Sequence, residues 1–135
     1  MTGRRLLAVG AAVVLLAAAG CGGDDEAAPE TTGTTEAPVA AGSTLTASVG
    51  PGFDISLTGP DGAAVTTLAA GEYTIEVDDQ ASSHNFHLTG PEVDEDSGVA
   101  DTGTSTWTLT FEEGSYHFQC DPHAGSMNGD FEVTS

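Results

Sequence analysis

A chain of 135 residues with 21 Asp or Glu against only two Lys or Arg carries a formal charge of −19. Both cations, Arg4 and Arg5, stand at the N-terminus, so residues 6–135 hold no Lys or Arg. Nucleic acid is excluded as a partner, because nothing here could displace its counterions. The dense negative charge suits a basic partner, or solubility at high salt.

Behind Arg4 and Arg5 runs an apolar and small-residue stretch, Leu6 to Gly20, too short for the roughly 20 residues of a bilayer-spanning helix. Residues 1–20 are therefore expected to be an export signal. The stretch ends in Ala18-Ala19-Gly20-Cys21, which resembles the lipobox of bacterial lipoproteins. That resemblance implies lipidation of Cys21, membrane association through the N-terminal lipid, and a place on the outer face of the cytoplasmic membrane. Ordinary secretion with an unmodified Cys21 is the alternative. Residues 21–42 are rich in Gly, Ala, Thr, Glu and Pro, with Val39 their only large apolar side chain. Such a segment buries too little surface to offset its ordering entropy, so it is expected to be a disordered tether with a reach on the order of 25 Å.

Residues 43–135 form one domain with a single core. No helical periodicity runs for a useful length. Short alternating runs broken by Gly, Pro, Asp and Ser predict strands over 44–49, 53–58, 64–68, 72–77, 85–89, 105–111, 115–120 and 129–134. The expected fold is all-β, a monomeric Greek-key antiparallel sandwich or barrel of seven or eight strands, with 105–111 and 115–120 as its last long hairpin. Residues 90–104 read as an acidic connection with a short strand at Val99.

Strand parity sorts the ionisable side chains, since successive residues face opposite ways. Tyr116, Phe118 and Cys120 share the inward face, as do Trp107, Leu109 and Phe111. His84 shares the inward parity of Phe86 and Leu88, whereas His87 and His117 face solvent. Cys120 opens the run Cys120-Asp121-Pro122-His123-Ala124-Gly125-Ser126-Met127. A thiolate, an imidazole and a thioether this close suit copper once His84 supplies a second imidazole. A compromise His₂Cys set with a weak axial Met on a stiff scaffold serves both Cu(I) and Cu(II), which keeps reorganisation on electron transfer small. Met127 is the only methionine after Met1, which argues against use as core filler.

His84-Asn85-Phe86, followed by Tyr116-His117-Phe118-Gln119-Cys120-Asp121-Pro122-His123, Met127 and Gly129, resembles the type 1 copper domain of the cupredoxins, the group of plastocyanin, pseudoazurin and amicyanin. The resemblance spans essentially all of 43–135. It implies one type 1 copper ion held by His84, Cys120, His123 and Met127, with Asn85 tying the two ligand loops together and His123 nearest solvent as the electron port. It further implies one-electron transfer to redox protein partners, for which basic or membrane-bound proteins fit the charge. Asp121 stands where relatives commonly carry a small hydroxyl residue. Its carboxylate is expected to favour Cu(II), helped by Pro122, which has no N–H to offer the sulfur. Copper buffering or delivery without electron transfer is the alternative function, with His87 and His117 adding weak sites; a zinc-binding or metal-free adhesive sandwich is a third. An enzyme is not expected. Gln119 and Asp121 flank Cys120 where multicopper enzymes carry histidines, no His-x-His pair occurs, and no nucleophile motif is present.

Overall fold

The computed structural model describes residues 36–135. The expected export signal, Cys21 and the tether as far as residue 35 lie outside the described residues. Among the described residues no helix is long and apolar enough to cross a membrane. The described residues form nine strands in chain order: β1 (Thr44–Val49), β2 (Ile55–Thr58), β3 (Thr67–Ala69), β4 (Gly71–Asp79), β5 (His87–Gly90), β6 (Val93–Asp96), β7 (Gly103–Phe111), β8 (Gly114–Gln119) and β9 (Asn128–Thr134). One 3₁₀ turn, Asp121–His123, lies between β8 and β9.

The strands make two sheets, ordered β2-β1-β4-β7 and β3-β9-β8-β5-β6, packed as an open sandwich rather than a closed barrel. Both sheets are mixed. β1 runs parallel to β4 and β3 parallel to β9, while the other pairs are antiparallel. The purely antiparallel expectation fails at these two pairs, because alternation along a strand reports which face is buried and not which neighbour it pairs with.

The expected hairpin of 105–111 with 115–120 does not form. β7 pairs with β4 and β8 pairs with β5 and β9, so the chain crosses from one sheet to the other at Glu112-Glu113. Tyr116 fixes this corner. Its hydroxyl shares its one proton between the carbonyls of Pro91 and Glu112, both at 3.1 Å, and accepts from the Glu112 N–H at 3.0 Å. Its ring stacks on Phe131 at 5.2 Å and meets Phe111 edge-on at 4.9 Å. The strand expected at Val99 forms instead at Val93–Asp96, where Val93 is buried and Val99 is exposed.

Inward residues of both sheets supply the core, including Leu45, Val49, Tyr73, Ile75, Leu88, Phe111, Tyr116 and Phe131. The sandwich also takes in residues upstream of 43. Val39 bridges Leu68 in parallel, donating to the Thr67 carbonyl at 3.0 Å and accepting from the Ala69 N–H at 2.9 Å. The buried Tyr73 hydroxyl shares its one proton between the Val39 and Ala69 carbonyls, at 2.6 and 2.8 Å. The one large apolar side chain of the expected tether is thus where pairing begins.

Gly90 lies directly under the Tyr116 ring, where an added Cβ would sit 2.2 Å from Cδ1. Three hydrogen bonds hold that ring, so it cannot step aside. Gly90→Ala is expected to lower stability by about 1–3 kcal/mol through overpacking, read as a lower urea midpoint with an unchanged slope.

Candidate metal centre

The Cys120 side chain is fully buried and His84 nearly so, as strand parity predicts. For Cys120 the parity argument holds, because the residue directly extends β8. For His84 the result holds but the argument does not. β5 begins only at His87, and Asn85, of opposite parity, is fully buried as well. Residues 84–86 are a non-strand segment, fixed by the Phe86 N–H donating to Ser97 Oγ at 2.8 Å and the Ser97 N–H donating to the Phe86 carbonyl at 3.1 Å.

The run after Cys120 folds back on itself. The His123 N–H donates to the Cys120 carbonyl, and the Ser126 and Met127 N–H groups both donate to the His123 carbonyl, each at 2.9 Å. The Cys120 N–H donates to the Met127 carbonyl at 2.9 Å and closes the loop. Pro122 sits in the first turn of the 3₁₀ segment, where no N–H is needed. This compact loop brings the ring of His123 back over Cys120 and leaves the side chain of Met127 fully buried at its base.

Three donor atoms then converge. His84 Nδ1 lies 3.1 Å from His123 Nδ1, and Cys120 Sγ lies 3.5 Å from each. Among the described residues this is the one group of three His, Cys, Asp or Glu side chains whose donor atoms lie within 4.8 Å of one another. The centre of that triangle is roughly 2 Å from every corner, the length of a metal–imidazole bond. One soft sulfur and two imidazole nitrogens in a trigonal array, with a thioether buried on the same loop, match the donor set of a blue copper site. The donors therefore fit one type 1 copper ion.

Asn85 spans the two ligand segments. Its Oδ1 accepts from the Asp121 N–H at 2.7 Å, and its Nδ2 donates to Asp121 Oδ2 at 2.8 Å and to Asp96 Oδ1 at 2.7 Å. Asp121 also takes Gln119 Nε2 at 2.9 Å and His87 Nδ1 at 2.9 Å, while His87 Nε2 meets Asp94 at 2.8 Å. Burial would raise the Asp121 carboxyl, but the hydrogen bonds from His87, Gln119 and Asn85 outweigh it and hold the group down to about 2. The carboxylates of Asp94 and then Asp121 push His87 up from its ordinary value. His117 likewise faces Asp130 at 2.7 Å. The two outward histidines, expected as lone surface rings, are thus each gripped by a carboxylate.

Sequence reasoning missed Phe53, which it placed in a strand. The residue lies before β2 and is 69% exposed, with its ring edge-on to both His123, at 4.9 Å, and His84, at 5.7 Å. Gly50 lets this segment approach. Its φ is +77°, and a Cβ there would stand 3.4 Å from His84 Cδ2 and 3.2 Å from Ala81 Cβ. The available signal was the Gly50-Pro51-Gly52 turn directly before an aromatic residue.

The family of copper binding proteins described as plastocyanin/azurin matches residues 61–134. No curated protein matches the chain significantly. Among solved structures, a rusticyanin variant superposes with a TM-score of 0.50 at 17% identity, over 73% of this chain and 80% of its own. Rusticyanin from Thiobacillus ferrooxidans superposes with a TM-score of 0.48 at 19% identity, over 73% and 79%. With the family match covering more than half of the sequence and the donor set in place, the chain belongs to the copper-binding plastocyanin/azurin family.

Proposed function

We propose that this protein is a one-electron carrier, tethered by lipid on Cys21 to the outer face of the cytoplasmic membrane and serving basic redox partners. The observation that carries the electron-transfer reading is the preassembled triangle of His84, Cys120 and His123. Copper, when bound, supplies a one-electron couple. The chain's part is to keep the donors still as the charge changes. β8 fixes Cys120, the hydrogen-bonded loop fixes His123, and Asn85 locks the segment bearing His84 to both. Ligands held this way reorganise little.

His123 is the ligand nearest solvent, half-buried where His84 and Cys120 are buried. Phe53 stands edge-on over its ring, so a partner touching Phe53 comes within one side chain of a ligand. The absence of Lys and Arg from residues 6–135 supports a basic partner, because complementary charge speeds encounter. The tether would hold that encounter near membrane-bound proteins through effective concentration.

The carboxylate beside Cys120 acts as half of a pair with His87. The His87 pKa is raised above 6.5, so its pairing stabilises the fold fully below about pH 6.5 and is lost as pH rises through the raised value. The Asp121 pKa is lowered from 3.8 to about 2, so its contribution is present above about pH 3.8 and lost as pH falls toward 2.

Adding Cu(II) to the protein is expected to give an intense visible thiolate-to-copper band and a reversible voltammetric wave, with Cys120→Ser abolishing the band. A pale spectrum typical of nitrogen and oxygen ligation, or the absence of a reversible wave, counts against the carrier. In urea titrations of the metal-free protein across pH 2 to 9, His87→Gln should remove the alkaline decline and Asp121→Asn the acid one. The His87 effect should amount to about 0.5 kcal/mol after solvent screening.

A further inference from the structure

The four outer edges of the two sheets are not alike. Beyond β3 the backbone of Val39 is already paired. Beyond β2, Ala64 bridges Thr58 and the Val65 N–H donates to the Leu57 carbonyl at 2.9 Å. β6 is four residues long and carries Asp94, Glu95 and Asp96, the charged blunting that keeps an edge from pairing. Among the described residues β7 has none of these protections. It runs nine residues, Gly103–Phe111, in unbroken one-to-one register with β4, without proline or bulge. Among the described residues, its backbone hydrogen bonds all go to β4.

In a chain of charge −19, β7 contains no charged residue. β1, β2 and β3 also lack charged residues but are shorter than β7. Thr104, Thr106, Thr108 and Thr110 alternate along the exposed outer face, while Trp107 and Leu109 are only partly buried on the inner one. We infer that the open edge of β7 is a self-association surface, pairing antiparallel with β7 of a second copy of this chain across a two-fold axis.

The occupant follows from charge and symmetry. Two copies of so acidic a protein repel, so a shared interface must lie where neither presents charge, and β7 is the long unpaired stretch that meets this condition. An antiparallel pair of identical strands is self-complementary, as a two-fold interface requires. Centred on Trp107, it sets Thr106 opposite Thr108 and Thr104 opposite Thr110, the threonine pairs that stabilise antiparallel ladders. The two four-stranded sheets would then run on as one sheet of eight. This departs from the monomer expected from sequence.

Sedimentation velocity of the full chain over a range of concentrations tests the pairing, with Trp107, the single tryptophan, reporting its own burial by fluorescence. The expected result is a reversible monomer–dimer equilibrium, strengthened by added salt as repulsion is screened, with Trp107 emission shifting to the red on dilution. Thr106→Lys with Thr108→Lys places like charges face to face across the axis and should weaken the dimer by about tenfold or more. Those lysines lower the net negative charge, so a loss of association cannot come from overall repulsion. Thr46→Lys, the same charge on the exposed face of central strand β1, should leave the dimer intact. The inference is overturned if the chain stays monomeric at every concentration, or if association survives the paired lysines, as it would were the apolar leader its cause. Concentration-independent hydrogen-exchange protection of β7 would also overturn it, by assigning the edge to a segment of the same chain.

Discussion

Two hydrogen bonds between Asn85 and Asp121 set the distance between the halves of the metal centre. Asn85 is one residue beyond His84 and Asp121 one residue beyond Cys120, so both bonds join residues adjacent to ligands, one through the Asp121 backbone N–H and one between the two side chains. Asn85 is fully buried, and its amide has no water to turn to if a partner moves. Leaving such a group unsatisfied costs about 1–3 kcal/mol, which makes the joined arrangement the one that the interior tolerates. Pairing of His87 with Gln119 in the sheet carries the same alignment outward from the site.

Four histidines fall into two pairs with opposite tasks, one carried by the segment before β5 and the loop after β8, the other by strands β5 and β8 themselves. His84 and His123 turn toward the buried sulfur, while His87 and His117 turn to the outer face and bind carboxylates. Asp121 belongs to both sides. Its backbone N–H is tied to Asn85 inside, and its carboxylate is shared with His87 outside. The charge felt at Cys120 from this position is therefore that of an ion pair, whenever His87 holds its proton, rather than that of a bare carboxylate. That tempers the simple expectation from sequence, in which Asp121 acts alone.

Much of the site was legible because metal binding demands particular atoms, and those atoms leave names in the sequence. Cys120, His123 and Met127 sit in one loop, and parity placed Cys120 correctly because β8 runs straight into it. His84 came out right for an incomplete reason: the segment before β5 is not extended, and it is side-chain bonding by Asn85 and Ser97 that buries it. Pairing was the less legible level. Alternation in 105–111 and 115–120 is the same whether the two strands are neighbours or lie in facing sheets, and only the Tyr116 corner decides between them. Phe53 escaped for the same kind of reason. Its meaning lies in the two imidazole rings beneath it, which come from residues at least thirty-one positions away.

The acidic composition organises the surface as the soft ligands organise the interior. With no Lys or Arg in residues 6–135 to pair against, most carboxylates lie on outer faces, turns and the β6 edge, while the buried Asp79 is held by the Ser97 hydroxyl at 2.8 Å. The end bearing Phe53 and His123 also carries the exposed Asp54 and Asp121, whereas the flank formed by β7 is uncharged along its length. They draw on different elements: His123 follows β8 in one sheet, and β7 closes the edge of the other. The proposed electron exchange at the first and the inferred self-pairing at the second would therefore not compete for the same residues.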